Sequence, residues 1–193
     1  MISGVNALFN HPGLRSVLVK LRAPIAVAAA AVLIAWADPR WLWPALAVSA
    51  VGELIQLWCF ATLDKNASLA CRGPYALVRN PMYLGRFFIL AGALMLLGRP
   101  WLLAPFAIGY WFYMANRVGR EERRLREVLG APYADYCAGT RRFVPGAPYR
   151  GEPVLVWDAT LFRQNHGWQN LAGTAAFWLA AIAWLVTRAG GGA

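Results

Sequence analysis

The sequence predicts an all-α fold: a polytopic transmembrane helix bundle of about five spans, with a cytoplasmic helical extension after the fourth. Three observations carry this reading. Of 193 residues, 59% are hydrophobic and 15% charged, against about 45–50% and about 25% in an average soluble domain, and the mean hydropathy is +0.43. The apolar residues gather in runs close to the roughly 20 that cross a bilayer. The basic residues are distributed very unevenly between those runs. This composition excludes a disordered chain, and three cysteines without a CxxC pair (Cys59, Cys71, Cys137) imply neither a disulfide framework nor a zinc cage. Residues 1–193 read as a single membrane domain.

In chain order, the first span covers residues 23–37 and is short unless residues 17–22 extend it, with Lys20 and Arg22 snorkelling. The stretch before it has a basic flank but no small-residue cleavage site, so it reads as a cytoplasmic start rather than a signal peptide. Further spans cover residues 41–63, 81–98, 101–116 (bounded by Arg117) and 171–187. Residues 38–40 and 99–100 form tight outer hairpins. The inner segments, residues 64–80 and 117–167, are long, so polar chemistry has room only on the inner side.

The charge agrees with this topology. With the N-terminus cytoplasmic, sixteen of the nineteen Lys and Arg fall on the inner side, counting Arg86 near the inner end of span three, and only Arg40, Arg99 and Arg188 fall outside. That is the positive-inside pattern. The formal net charge of +10 therefore reports orientation and attraction to membrane lipids, and nucleic acid drops out as a partner.

Two constellations could carry chemistry. The first is GPYALVRNPMYLG, residues 73–85. Gly73-Pro74 is a turn signal, and Asn80-Pro81 predicts a helix start with Asn80 as the N-cap and Pro81 at the first helical position. One reading makes this only the mouth of span three, with Tyr75 and Tyr83 as interfacial anchors. The other makes the helix N-terminus, beside the two tyrosines and Arg79, a site for an anionic or hydroxyl-rich ligand. The second constellation follows span four. Arg117 and Glu121 lie four apart on one face of a continuing helix, and Leu125, Val128 and Leu129 form an apolar stripe laid against the membrane or the bundle. Glu122 reads as a proton acceptor or, the favoured reading, as a solvated carboxylate. Tyr133, Tyr136 and Arg142 follow in APYADYCAGTRRFVP.

Taken together, GPYxxVRNPMYxG, an apolar helical hairpin, EExxLxxxxGxxYxxY and a closing RxxP resemble the isoprenylcysteine carboxyl methyltransferase family, whose wider kin include phospholipid N-methyltransferases. The resemblance covers residues 67–145, a methyltransferase core. Residues 146–193, an interfacial segment with a further span, lie outside it. It implies an integral membrane enzyme that uses S-adenosyl-L-methionine and needs no metal. Carried over by position, the cofactor would contact Ala67, Ser68, Leu69, Ala70, Tyr75, Asn80, Pro81, Met82, Tyr83 and Glu121. Arg117 would hold the substrate carboxylate as the catalytic residue. Eukaryotic members have His where this chain has Asn80.

Methyl transfer from a sulfonium is an in-line displacement, so the protein's task is to position the reactants and exclude water. A carboxylate acceptor is already ionised at neutral pH and needs no general base. An amine acceptor would need one, and His11 and His166 both lie outside the matched core. A carboxyl O-methyltransferase is therefore favoured over an N-methyltransferase, acting on a lipophilic or lipidated substrate. Glu53, the only acid within a span, has two readings. It contacts a substrate headgroup or Arg86, or it is hydrogen-bonded to Gln56 or a neighbouring helix. The alternative functions are a nicotinamide-dependent membrane reductase on a related helical core and a non-catalytic scaffold. The expected location is a bacterial inner membrane, with the N-terminus and the active site cytoplasmic.

Overall fold

The computed structural model describes residues 12–64 and 69–191, with side chains from residue 21 onward. Among the described residues every regular element is helical. Helix α1 (Pro12–Ala35) runs through Pro24, and a 3-10 turn, Pro39–Trp41, leads into α2 (Leu42–Phe60). Asp38 caps that turn: its Oδ1 accepts from the Arg40 N–H at 2.9 Å. Its own N–H donates to the Leu96 carbonyl at 2.9 Å, pinning this hairpin to the chain around Leu96.

A four-residue helix α3 (Pro74–Leu77) precedes α4 (Pro81–Met95). Helices α2 and α4 form the most extensive contact of the bundle, because glycine lets their backbones touch. A Cβ on Gly52 would lie 2.5 Å from the Gly85 carbonyl oxygen, and one on Gly92 would lie 2.6 Å from that of Ala45. Small residues at a helix crossing are a usual basis of association in lipid, where burial of apolar surface from water contributes nothing.

After a second 3-10 turn, α5 (Leu103–Leu129) runs 27 residues without a break. At ~1.5 Å per residue that is about 40 Å, longer than a hydrocarbon core of about 30 Å, and its charged residues begin only at Arg117. Gly130, at φ +59°, reverses the chain into α6 (Ala131–Gly139), a conformation that a side chain would strain. A 3-10 turn (Tyr149–Gly151) and α7 (Ala159–Gln164) then lead to α8 (Gly167–Gly190). Asn165 Nδ2 donates to the carbonyls of Phe60 (3.0 Å) and Leu63 (2.6 Å), satisfying acceptors that the end of α2 leaves open.

Two helical segments, Pro39–Phe60 and Gly167–Gly190, are long and apolar enough to cross a membrane, and Leu21–Ala35 and Pro81–Met95 are shorter apolar helices. The exterior carries Trp36, Trp43, Leu54, Phe112, Leu179 and Val186 largely exposed. A soluble monomer rarely shows so much contiguous apolar surface. Helix α4 stops at Met95, short of the expected residue 98, because the Gly98 N–H turns back to the Met95 carbonyl. Helix α8 starts four residues before the expected 171.

Candidate active site

A cavity of about 610 Å³ opens where the start of α4 meets the charged half of α5. Its remaining walls come from Leu63 and Asp64, from Leu69 and Ala70, from α3 and from α6. This volume falls in the range of small-molecule sites, about 300–1,000 Å³.

The first turn of α4 is fixed from three sides. Gln56 Nε2 donates to the Met82 carbonyl at 3.2 Å, and Tyr110 Oη donates to the Tyr83 carbonyl at 2.7 Å. Pro81 takes the first helical position, as expected. Asn80 takes the N-cap position, as expected, but without a side-chain cap bond. Its amide donates to Glu122 Oε1 and to the Arg142 carbonyl, both at 3.3 Å, and a buried carboxylate needs such donors.

Glu121 and Glu122 occupy adjacent positions on α5 and face different surroundings, since consecutive helical residues point about 100° apart. Glu121 turns into the cavity, where its Oε2 accepts from Tyr83 Oη at 3.1 Å. Arg117, one turn earlier, pairs its guanidinium with the same tyrosine hydroxyl, an interaction that raises the arginine's pKa. Arg117 lies just outside the cavity lining. Glu122 points away into the protein and is 3% exposed, so the expectation of a solvated Glu122 is overturned. Arg142 forms an ion pair with it, with Nε at 3.2 and 3.1 Å from its two oxygens. Arg79 Nε lies 3.5 Å from Oε1, an ion pair without hydrogen-bond geometry. Two backbone bonds hold these arginines in place: Arg79 N–H to the Arg141 carbonyl and Gly146 N–H to the Leu77 carbonyl, each 2.9 Å.

The side of the cavity beyond Glu121 is apolar and aromatic. Leu125, Val128 and Leu129 continue the same face of α5 along the cavity, so this stripe is a wall of the site rather than only a membrane contact. Tyr133 and Tyr136 close it from α6. Tyr136 Oη donates to the Tyr75 carbonyl at 2.6 Å. Burial pushes the hydroxyls of Tyr75, Tyr133 and Tyr136 up, so all three stay neutral donors at any physiological pH.

Of the residues singled out from sequence, Leu69, Ala70, Tyr75, Asn80, Met82, Tyr83 and Glu121 line this one cavity. Pro81 is buried behind the wall, and Ala67 and Ser68 lie outside the described residues. Glu53 is elsewhere: its oxygens accept from Asn170 Nδ2 at 2.7 Å and Thr174 Oγ1 at 2.8 Å on α8. It is therefore bonded to a neighbouring helix, not to Arg86 or Gln56. Arg79, read from sequence as part of a ligand site with Tyr75 and Tyr83, also lines the cavity. Asp64, Arg124, Tyr133 and Tyr136 line it too and were assigned no role from sequence. For the last two tyrosines the signal was present, four and seven residues beyond Leu129.

Comparison with known proteins agrees with the motif reading. Residues 41–131 match the model of the phospholipid methyltransferase family. The chain is 28% identical over 86 residues to protein-S-isoprenylcysteine O-methyltransferase B of Arabidopsis thaliana, covering 45% of this chain and 42% of that one. It is 34% identical over 85 residues to the protein-S-isoprenylcysteine O-methyltransferase of Schizosaccharomyces pombe, covering 44% and 36%. A longer alignment, 25% identical over 133 residues, covers 67% of this chain and 61% of the cobalt-zinc-cadmium resistance protein CzcN of Cupriavidus metallidurans. No solved structure matches. The chain thus spans about two fifths of the length of the Arabidopsis relatives, and its resemblance to the isoprenylcysteine methyltransferases and their phospholipid-methylating kin is borne out over its central part.

Proposed function

We propose that this chain, similar over residues 41–131 to the phospholipid methyltransferase family, is an integral membrane methyltransferase. It would use S-adenosyl-L-methionine to methylate a lipophilic carboxylate. The observation that carries the proposal is the cavity itself. Seven residues picked from sequence line one space of about 610 Å³, although Glu121 lies far along the chain from the other six. The donor set fits that cofactor. Glu121 and Asp64 offer carboxylates to an ammonium and to ribose hydroxyls, while Leu69, Leu125, Val128 and Leu129 offer an apolar slot to a flat base. Bound there, S-adenosyl-L-methionine would supply an electrophilic methyl group on a sulfonium.

The chain's own residues have the remaining work. Tyr83 is held between Glu121 and Arg117, so it stands at the junction of the cavity and the outer face of α5. Arg117 sits on that outer side and can orient an acceptor carboxylate, which is ionised at neutral pH and needs no base. Tyr133, Tyr136 and the Leu125–Leu129 stripe keep water from the cavity, and a dry site strengthens each of these electrostatic contacts. The acceptor would enter from the bilayer beside α4 and α5. With five spans and a cytoplasmic N-terminus, the cavity and most of the basic residues face the cytoplasm.

The test is calorimetric titration of the detergent-purified chain with S-adenosylhomocysteine and with NADPH. Binding of the first that disappears in Tyr83→Ala and Glu121→Ala supports the methyltransferase. Binding of NADPH alone would replace it with a reductase, and binding of neither with a scaffold.

A further inference from the structure

Arg86 is the one charged residue of α4, and neither the motif resemblance nor the cavity accounts for it. It lies three residues beyond Tyr83, where an α-helix presents the same face. Its guanidinium carbon is 5.8 Å from the centroid of the Tyr83 ring. The side chain is exposed, and none of the ion pairs among the described residues includes it. A guanidinium within an apolar helix is costly and usually serves a function. The Tyr83 ring beneath it packs in one cluster with Tyr110 of α5, which puts Arg86 at the seam between α4 and α5. The floor of that seam is the aromatic group of Tyr83, Tyr110, Phe87 and Phe106. Arg117, also exposed, stands at the Tyr83 hydroxyl. One tyrosine thus carries a guanidinium over its ring and another at its hydroxyl, and the nearby acid Glu121 is already bonded to that hydroxyl.

We infer that Arg86 is a specificity-determining residue: with Arg117 it brackets Tyr83 and selects a carboxylate-bearing lipophile over a cationic amine at the acceptor position. The inference rests on the methyltransferase reading and adds to it the residue that enforces the choice of acceptor. A carboxylate between the two guanidiniums would be held by charge-assisted bonds to both, whereas an ammonium group there would meet two like charges. The apolar tail would lie on the aromatic floor of the seam and continue into lipid. Arg86 contributes to acceptor binding without touching the cofactor cavity, whose lining does not include it.

The experiment uses the full chain in detergent with saturating S-adenosylhomocysteine, titrated with N-decanoylglycine and, separately, with decylamine. The wild type is expected to bind the carboxylate at least about tenfold more tightly than the amine, and Arg86→Gln to lose about tenfold of that affinity. Arg86→Lys keeps most of it, and affinity for S-adenosylhomocysteine stays the same in both variants, which also shows that they fold. Equal binding of the two amphiphiles, binding of neither, or an Arg86→Gln variant with wild-type carboxylate affinity overturns the inference. Failure of the wild type to bind S-adenosylhomocysteine is a different result, which sinks the methyltransferase reading first.

Discussion

Two glutamates are buried in this bundle, and they are held in opposite ways. Glu53, 6% exposed in the middle of α2, accepts only from neutral donors, Asn170 and Thr174. One turn away Ser49 accepts from Trp178 Nε1 at 2.9 Å. The donors Asn170, Thr174 and Trp178 lie four apart on α8, so the whole set is a ladder between two helices. Glu122, 3% exposed, is held by two arginines and an amide from two places: Arg79 and Asn80 on the approach to α4, and Arg142 in the loop after α6. The difference separates two uses of an inward carboxylate. Neutral partners at helical spacing join one helix to another. Charged partners drawn from irregular chain fix the frame of a cavity, and the cavity's own acid, Glu121, is the next residue.

The largest effect is expected where the charge would be left unmatched. In Glu122→Ala, Arg79, whose side chain is 12% exposed, stays buried without its counterion. Breaking a buried ion pair from one side costs about 3–5 kcal/mol. Arg142, whose side chain is 42% exposed, can turn to water, so the lower end is expected. Thermal unfolding in detergent should show a large fall in Tm. Binding of S-adenosylhomocysteine should weaken as well, because Asn80 and the Arg79 wall lose their anchor. A variant that binds normally would show that Glu122 supports the fold but not the site.

Glu122→Gln sharpens the same point. The amide keeps an acceptor for Asn80 and one arginine but removes the negative charge, and hydrogen bonds to charged groups are worth about 1.5–3 kcal/mol. We expect about half the loss in stability of Glu122→Ala. If the two variants unfold alike, charge is what matters at this position and the hydrogen bonds to Asn80 and Arg142 are secondary.

How much of this contrast could be read in the sequence follows from distance along the chain. The helices were legible because apolar runs and Asn-Pro, Gly-Pro signals are local. Seven cavity residues were legible because Tyr75, Asn80, Met82 and Tyr83 belong to one contiguous motif, Glu121 opens another, and Leu69 and Ala70 carry over by position from the family resemblance. Glu122 was not, since it differs from Glu121 only by a rotation of about 100°, and its partners lie 20 and 42 residues away. Asn80 was legible as the N-cap residue, but the acceptor of its amide was not, because that acceptor lies in another helix. Glu53 stayed open between two readings because its donors are 117 and 121 residues distant. Nothing local distinguishes a carboxylate that meets a substrate from one that meets a helix.

Glu53→Gln should therefore cost less than either change at Glu122. The amide oxygen can still accept from Asn170 or Thr174, one bond is lost, and no cation is stranded. A loss of about 1 kcal/mol in stability is expected, with affinity for S-adenosylhomocysteine unchanged. A variant that folds but no longer binds would place Glu53 in the site after all, and the contrast between the two glutamates would collapse.

The smallest effect is expected at the other end of the ladder. Thr174→Val keeps the shape of the side chain and removes one hydroxyl from Glu53 Oε2. Hydrogen bonds between helices in lipid average about 0.6 kcal/mol, because the alternative partners available in the membrane are not much worse. The second donor, Asn170, stays at 2.7 Å on the other oxygen. A shift near the limit of a thermal-unfolding measurement is expected, with no change in ligand binding. The informative variant pairs it with Glu53→Gln. If the bond from Thr174 is the one already lost in Glu53→Gln, the double variant is no less stable than that single one. If the losses add, Thr174 donates to the glutamine as well as to the glutamate. In either case the ladder behaves as a set of separable neutral bonds, which the charged cluster around Glu122 cannot do while Arg79 remains buried.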